Sequence, residues 1–256
     1  IFNYMKKKIK DYWNKRSKDK LLAGSNTVMP DLLETNFLIS FIKKNKKILD
    51  IGCGNGIFLD RLSQKIKYKS ALGIDYSDGM ILEAKKRNLK KTKFELIDMT
   101  NKRQIKSINQ KFDYIISKRS LINLNSFAEQ TKVLESFSDL LNKNGRILCC
   151  ENSSTALKNI NYARKKINLK KIVAPWHNKY IDNTKLIKFK FKKIRLVKLH
   201  EFSSSFYFIS RVLNAFNSKV QNKKKFDKKL NELAFIIDQS LVPGYSQNIL
   251  FEFKKK

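Results

Sequence analysis

The stretch that most constrains this chain is a glycine-rich turn between an apolar run and a helical pattern. Ile48 and Leu49 lead into Asp50, the residues D-I-G-C-G-N-G follow from there, and apolar residues then recur at helical spacing. Glycines allow positive φ angles and let the backbone approach a ligand closely, while the next helix offers unpaired N–H groups at its start. The stretch therefore predicts a strand, a tight turn and a helix that together hold a nucleoside-like ligand.

The spacing of the glycines narrows the kind of ligand. The dinucleotide fingerprint G-x-G-x-x-G would need a glycine where the chain has Ile57, and the Gly-Lys-Ser/Thr ending of a phosphate-binding loop is absent. Gly52, Gly54 and Gly56 instead stand at alternate positions. The turn therefore matches neither the dinucleotide fingerprint nor the phosphate-binding loop.

Acidic residues stand at the ends of two later apolar runs. Asp75 lies nineteen residues after Gly56, and the third run, residues 94–97, leads into Asp98 and Met99. In α/β nucleotide sites a carboxylate at about the first of these positions binds ribose hydroxyls. A solvated acid at a strand end is the alternative. Together the two acids predict one binding edge on the sheet.

Seven apolar runs predict seven strands. They cover residues 48–50, 71–76, 94–97, 112–117, 146–150, 194–199 and 248–253. Helical patterns separate them, and the pattern of residues 127–141 is expected to stop at Asn144 and Gly145. Alternating strands and helices predict an α/β fold.

Two helices are predicted before the first strand. Residues 6–20 form a basic helix that either closes over the ligand or packs at the periphery, with Tyr12, Trp13 and Arg16 as its lid candidates. The second helix begins at Pro30 and carries acids in its first turn, as the helix dipole favours, at Asp31 and Glu34. Its expected buried stripe is Leu33, Phe37 and Phe41.

The glycine turn, Asp75 and the Asp98-Met99 pair resemble the motifs of the Rossmann-like S-adenosylmethionine (SAM)-dependent methyltransferases. Further segments resemble a group of bacterial methyltransferases associated with surface polysaccharide and related small-molecule modification. These segments are SKRSLINL, CCENSSTALKNINYARKKINL, APWHNKY, EFSSSFYFISRVLNAF and PGYSQNILFEFKKK. The resemblance covers nearly the whole chain.

The resemblance implies a Rossmann-like, seven-stranded, mostly parallel sheet with helices on both faces and an antiparallel last strand. One domain is expected over residues 1–256, with N-terminal helices or a lid in 1–42, a SAM-binding core in 43–152 and an acceptor-side half in 153–256. A helical insertion between strands six and seven, about 203–245, would act as a cap. The implied cofactor residues are Asp50, Gly52, Cys53, Gly54, Asp75, Tyr76, Met80, Asp98, Met99 and Ser117.

The acceptor is expected at the same edge of the sheet. His177, one of two histidines, is the first choice as general base because its usual pKa of about 6.5 suits that role near neutral pH. Glu151 is the second choice, and Arg119 would fix a phosphate or carboxylate of the acceptor. The remaining acceptor candidates are Asn123, Arg164, Trp176, Asn178, Tyr207 and Arg211.

The net positive charge of the chain allows a second hypothesis about its substrate. Lys and Arg number 55 against 22 Asp and Glu, a net charge of +33. Lysine is spread almost evenly beside abundant Asn and Ile, which is typical of an AT-rich genome, and no RNA-binding signature accompanies it. We therefore expect no nucleic-acid partner, while an RNA methyltransferase remains the alternative.

Other features indicate a cytoplasmic protein without a membrane partner. No apolar run approaches the roughly 18 residues that cross a bilayer, and the first residues lack a secretory pattern. The three cysteines form no metal-ligand pattern, so we expect no metal. Because the chain opens on Ile1 with Met5 close behind it, we expect its natural start to differ.

The predicted reaction is O-methylation of a small, polar, carbohydrate-type acceptor, for which an anionic group would suit the arginines. N-methylation is the open alternative because an amine needs no strong base. A module that binds SAM without turnover is a third possibility, but the polar residues after strands four and five argue against it.

Overall fold

Seven strands form one sheet at the centre of the computed structural model, which describes residues 2–19, 21, 23–24, 27–222 and 226–256. The strands are β1 Lys47–Ile51, β2 Ser70–Asp75, β3 Thr92–Leu96, β4 Phe112–Lys118, β5 Leu141–Asn152, β6 Ile194–Glu201 and β7 Asn248–Lys255. Their order is β3-β2-β1-β4-β5-β7-β6. Only β7 runs antiparallel, to both β5 and β6, so the predicted fold class is confirmed.

In the described residues two helices precede β1, and one to three helices lie between each pair of successive strands. They are α1 Phe2–Arg16, α2 Val28–Ser40, α3 Ile57–Lys65, α4 Asp78–Lys85, α5 Lys102–Ser107, α6 Phe127–Ser136, α7 Ser154–Lys166, α8 Asn183–Lys188, α9 Ser204–Phe208, α10 Asn214–Val220 and α11 Lys228–Ile236. A π-helical turn, Ile209–Leu213, joins α9 to α10. A short 3-10 turn, Leu121–Asn123, follows β4.

Successive residues of a strand point to opposite faces of the sheet, and each face carries its own core. Ile48 packs in a cluster with residues of α2, α3 and α4, whereas Leu49 packs in one with residues of α5, α6 and α8. A third cluster lies under the segment between β6 and β7 and includes Ile160, Tyr207 and Ala234. The helices of this segment therefore share a core of their own.

The predicted stripe of α2 packs against the core but is only partly buried. Leu33, Phe37 and Phe41 are only half-buried, while Asp31 and Glu34 are 2% and 0% exposed. The polar side of α2 faces inward because basic residues at the end of β4 lie opposite it. Helical spacing alone could not reveal those charged partners.

The predicted stop at Asn144 and Gly145 is wrong. Helix α6 ends at Ser136, a 3-10 turn follows, and β5 already begins at Leu141 and includes both residues. A Cβ on Gly145 would lie 2.7 Å from Leu141 Cδ1 and 3.0 Å from the Asp113 carbonyl oxygen. The glycine therefore serves a close approach within the sheet and not the end of a helix.

Candidate active site

The glycine turn after β1 is shaped by its contacts with β2. The N–H groups of Gly52 and Cys53 donate to the Ile74 carbonyl at 2.8 and 2.9 Å. Gly52 has φ +68°, and a Cβ there would lie 2.3 Å from Ser120 Cβ. The position therefore needs glycine for both its conformation and its close packing.

Asp75 at the end of β2 orients the turn. Its carboxylate accepts the N–H of Gly54 at 3.0 Å and that of Ser77 at 2.9 Å. Burial raises the pKa of Asp75 to about 6, although these hydrogen bonds oppose the rise. The carboxylate is thus held beside the turn, where the sequence pattern predicted a partner for ribose hydroxyls.

Asp50 at the end of β1 carries an unpartnered buried oxygen. The residue is 1% exposed, and its Oδ2 has no hydrogen-bond partner within the described part of the chain. Burial raises the pKa of this carboxyl group to about 7, against the opposing charge of Lys118. A buried carboxylate without a partner is costly, so the position suits a cationic or hydrogen-bond-donating ligand.

An open cleft of about 1140 Å³ connects these residues. Nine of the ten predicted cofactor residues line it, namely Asp50, Gly52, Cys53, Gly54, Asp75, Tyr76, Met80, Asp98 and Met99. Ser117 does not, because its hydroxyl is buried against Ser120 Oγ and Glu151 Oε1, both at 2.6 Å. The predicted acceptor residues Arg119 and Asn123 also line the cleft.

Helix α1 lies along the cleft and is fastened to the residues that follow β2 and β3. Lys6 forms an ion pair with Asp98, and Asn14 Oδ1 accepts the Gly79 N–H at 3.2 Å. Burial disfavours the charged form of Asp98, but Lys6 and neighbouring donors outweigh it and lower its pKa. Trp13 lines the cleft directly, and this placement suits the predicted lid.

A buried ion-pair network joins α2 to the end of β4. Asp31 pairs with Arg61, Lys118 and Arg119, and Glu34 Oε2 lies 2.9 Å from Arg119 Nε. Burial opposes ionisation of Asp31, but Lys118 and Arg119 outweigh it and lower its pKa to about 2. Arg119 is therefore held by two carboxylates, and its charge is largely neutralised before any acceptor arrives.

The structure argues against Glu151 as a general base. The residue is 0% exposed and lies outside the cleft lining. Its carboxylate accepts the N–H groups of Ser120, Leu121 and Ile122 as well as the Ser117 hydroxyl. Burial raises its pKa to about 7. Glu151 thus holds the 3-10 turn that carries Arg119 and Asn123 to the cleft.

The structure also argues against the base role predicted for His177. Its ring packs among Tyr12, Trp13 and Trp176, with centroids 4.4, 5.3 and 5.2 Å away, and it does not line the cleft. Its buried Nδ1 has no partner within the described residues. Burial and the Arg16 charge lower its pKa to about 4. The imidazole stays neutral and supports α1.

The other predicted acceptor residues fall into two groups. Trp176 is half exposed beside Lys8, and the backbone N–H of Asn178 donates to Pro175. Tyr207 and Arg211 belong to the segment between β6 and β7, Arg164 of α7 lies beside it, and none of the three lines the cleft. Arg164 donates to the carbonyl oxygens of Lys170 and Arg211, so its guanidinium braces the backbone.

Residues at the start of β7 were missed from the sequence. Asn248 Nδ2 donates to Glu34 and, at 2.9 Å, to the Tyr207 hydroxyl. Gln247 Nε2 lies 3.3 Å from the Tyr180 hydroxyl. Because β7 is antiparallel, its first residues reach the edge where the parallel strands end. In the sequence, the signal for these two residues was their position at the beginning of the last predicted strand.

Comparison with known proteins decides the family. Residues 42–232 match the family described as methyltransferase domain, which is most of the chain. The chain belongs to this family. A methyltransferase by name, protein 235L of Invertebrate iridescent virus 6, is 34% identical over 106 residues, which cover 41% of this chain and 36% of that protein. The ribosomal protein L11 methyltransferase of Thermosipho melanesiensis is 29% identical over 129 residues, which cover 50% and 46%.

Solved structures share the fold over nearly the whole of this chain. A Haloferax volcanii protein solved with the Trm112 activator aligns with a TM-score of 0.58 and 13% identity, covering 95% of this chain and 94% of that one. A TehB-like methyltransferase of Corynebacterium glutamicum aligns at 0.53 with 16% identity, covering 96% and 98%. The N-methyltransferase NodS of Bradyrhizobium japonicum, solved with S-adenosylhomocysteine, aligns at 0.53 with 13% identity, covering 90% and 89%.

The cofactor of this methyltransferase is SAM. The cleft fits it on two observations, the unpartnered Asp50 carboxylate for a cationic group and the positive-φ glycines, Gly52 and Gly54, that line the cleft. Within the described residues, no helix is both long and apolar enough to cross a bilayer. The same residues contain no group of three or more His, Cys, Asp or Glu side chains placed to hold a metal ion.

We expect SAM affinity to rise with pH because the raised pKa of Asp50, about 7, leaves much of this carboxyl group protonated below neutrality. The ionised form attracts the cationic cofactor, so binding should weaken by up to about tenfold per pH unit below pH 7. Calorimetric titration from pH 8.5 to 5.5 measures this slope. Asp50→Asn should bind weakly at pH 8 and show a much flatter profile; an unchanged slope would contradict the assignment.

Removal of the Glu151 carboxylate should unfold the protein more easily. Glu151→Ala leaves three buried N–H groups unpaired, so the free energy of unfolding should fall by about 3 kcal/mol or more. Urea denaturation measures the loss. Glu201→Ala is the matched control because this exposed carboxylate accepts one N–H, from Gly244. If the Glu151→Ala protein instead unfolds at the same urea concentration as the wild type but has no turnover, Glu151 acts in catalysis.

Proposed function

We propose that this methyltransferase transfers the methyl group of SAM to an oxygen of a small, polar, anion-bearing acceptor of carbohydrate type. The observation that carries the proposal is Arg211. Among the described residues this guanidinium has no carboxylate partner, and its Nε is buried without a hydrogen bond. A half-buried arginine whose Nε lacks a partner suits an anionic ligand, which its planar fork binds with two hydrogen bonds.

The surroundings of Arg211 favour a ligand that also carries hydroxyl groups. Gln247 Oε1 and Asn248 Oδ1 are buried acceptors without a partner among the described residues. Burial raises the pKa of both Tyr180 and Tyr207, against the opposing charge of Arg211, so both hydroxyls stay protonated. Hydroxyl donors and an anionic group together are typical of sugar acids and sugar phosphates.

The reaction favours an acceptor oxygen that is already ionised. Asp31 and Glu34 are engaged by basic side chains, Glu151 holds the 3-10 turn, and His177 is enclosed by aromatic rings. A carboxylate or phosphate oxygen needs no base because it has no proton to lose. Its attack forms the C–O bond as the C–S bond of the sulfonium breaks, which releases neutral S-adenosylhomocysteine.

The chain contributes mainly alignment to this displacement. SAM supplies a methyl group that is already activated for transfer. The cleft residues hold the cofactor, Arg211 fixes the acceptor, and Trp13 on α1 excludes water from the mouth of the cleft. Alignment of two bound reactants is worth up to about 7–11 kcal/mol of the barrier.

We expect Arg211→Gln to lose acceptor binding and keep cofactor binding. With sugar acids and sugar phosphates as probes, the KM should rise about tenfold or more, since charge-assisted hydrogen bonds are worth roughly 1.5–3 kcal/mol each at such sites. SAM affinity should stay within twofold. Arg195→Gln, an exposed arginine on β6, is the control. Equal KM values for both variants would remove Arg211 from the site.

The chemical stability of the product tests the methylated atom. With SAM labelled in its methyl group, transfer to a carboxylate gives an ester from which mild alkali releases labelled methanol, whereas a methyl phosphate, a methyl ether or a methylamine survives. Release of labelled methanol by alkali supports transfer to an ionised carboxylate. An alkali-stable methyl group on a hydroxyl or an amine contradicts it.

A lysine-lined groove favours RNA as the second candidate acceptor. Seven lysines line it against Glu135 and Asp139, whereas three basic and five acidic residues line the cofactor cleft. Glu135 accepts the backbone N–H groups of Lys192 and Lys193, and Asp139 pairs with Lys193, so neither acid is free. The groove runs between α5 and α6, and both helices begin close to residues that line the cleft.

Salt dependence separates the two candidates. If RNA is the substrate, total RNA should bind with an affinity that falls steeply with salt, and Lys106→Glu with Lys132→Glu should weaken binding far more than Lys43→Glu with Lys44→Glu, which lie exposed after α2. A flat salt response, or equal effects of the two pairs, would exclude this groove as an RNA site.

A further inference from the structure

Two stretches of the acceptor-side half carry basic residues and no acidic ones. Residues 153–181 and 202–226 contain no Asp or Glu. The first stretch includes Arg164 on α7, and the second includes Arg211 on the π-helical turn. The ion pairs of arginine within the described residues involve other arginines than these two. The described chain therefore places no carboxylate against either guanidinium group.

The two guanidinium groups lie close to each other. Nη1 of Arg164 donates to the backbone carbonyl oxygen of Arg211, and its Nε donates to that of Lys170 at 2.8 Å. Burial and then the like charge of Arg211 lower the pKa of Arg164. Both side chains are only half-buried, so a ligand can reach them from solvent. An anion that lies between the two groups would be attracted by both.

Two tyrosine hydroxyl groups lie beside Arg211, and each keeps its proton for a ligand. The Tyr207 oxygen accepts a hydrogen bond from Asn248 Nδ2 at 2.9 Å, and the Tyr180 oxygen accepts one from Gln247 Nε2 at 3.3 Å. Neither hydroxyl donates to another group of the described residues. Burial raises the pKa of both hydroxyls, and the charge of Arg211 opposes that rise. The two hydroxyls can therefore donate to an anion held by the arginine.

The number of donors decides which anion suits this site. A carboxylate has two oxygens and a single charge, which one guanidinium fork satisfies. A phosphodiester of a nucleic acid also has only two terminal oxygens and one charge. A phosphate monoester has three terminal oxygens and a charge of about −1.5 to −2 near pH 7. Two guanidinium groups and two hydroxyl donors match the monoester best.

We propose that Arg164 and Arg211, together with the hydroxyl groups of Tyr180 and Tyr207, bind a phosphate monoester group of the acceptor. This inference rests on the proposed function, because the phosphate belongs to the same small acceptor. It narrows the anionic group of that acceptor from a carboxylate or a phosphate to a phosphate monoester.

The phosphate serves as a handle and is not the group that is methylated. Neither arginine of the site lines the cofactor cleft, whereas Arg119 does. A series of side chains connects the two places: Arg119 Nε lies 2.9 Å from Glu34, and Asn248 donates to both Glu34 and Tyr207. The acceptor would extend along these side chains and present a different oxygen to the sulfonium of SAM.

Glycerol phosphate and glycerate test the proposal because they carry a phosphate monoester and a carboxylate on the same three-carbon skeleton. The full chain, saturated with S-adenosylhomocysteine, is titrated with each compound, and ligand-observed NMR gives the Kd. Glycerol phosphate should bind about tenfold or more tightly than glycerate, since charge-assisted hydrogen bonds are worth roughly 1.5–3 kcal/mol each. This comparison uses the wild-type protein and does not depend on the folding of a variant.

Arginine variants then locate the bound phosphate. Arg164→Gln and Arg211→Gln should each weaken glycerol phosphate binding about tenfold or more. Arg195→Gln, which changes an exposed arginine on β6, is the control and should stay within twofold of the wild type. Affinity for S-adenosylhomocysteine within twofold of the wild type shows that each variant is folded.

The possible failures of this inference and of the proposed function can be told apart. Equal affinity for the two compounds, displacement of glycerol phosphate by polyuridylate, or binding that neither arginine change weakens would overturn the phosphate site. If Arg211→Gln weakens glycerate binding and Arg164→Gln changes nothing, the anionic acceptor stands and only the phosphate assignment fails. If neither compound binds, the phosphate site and the anionic acceptor both fail.

Discussion

The hydrogen bond between the Gly54 N–H and the Asp75 carboxylate is the contact on which the cleft depends. It joins the turn after β1 to the end of β2, and both sides of the contact are needed to shape the cofactor site. The turn can pack against the loop after β4 because Gly52 has no Cβ and Ser120 therefore approaches it closely. Three strand ends are thereby held together by backbone groups and one carboxylate, and these contacts shape the cleft.

The buried carboxylates of this protein are of two kinds, those paired with neighbouring groups and one that keeps an unpartnered oxygen. The carboxylates of Asp31 and Glu34 pair with Lys118 and Arg119 and hold α2, and the carboxylate of Glu151 accepts backbone N–H groups and holds the 3-10 turn. Asp50 keeps one carboxylate oxygen and Arg211 its Nε without a hydrogen-bond partner among the described residues. A buried polar atom that lacks a partner is costly, and under the proposed function these two atoms would face the cationic cofactor and the anionic acceptor.

Local patterns predicted the fold, and they named residues that the structure gathers in one cleft. The glycine turn, Asp75 and Asp98 are read from spacing within single segments, and the structure brings all of them to the cleft. The roles of Glu151 and His177 depend on residues far away in the chain, so spacing could not separate a structural carboxylate from a base. The inward-facing acids of α2 were missed for the same reason, since their partners lie at the end of β4.

A crystal structure of the protein with S-adenosylhomocysteine and a sugar acid would test the central claim most directly. The account predicts ribose hydroxyls within hydrogen-bond distance of Asp75 and the acid group within the same distance of the Arg211 guanidinium, with an acceptor oxygen facing the sulfur. An acid group bound away from Arg211, or a cofactor that leaves Asp75 and Asp50 without contacts, would contradict it.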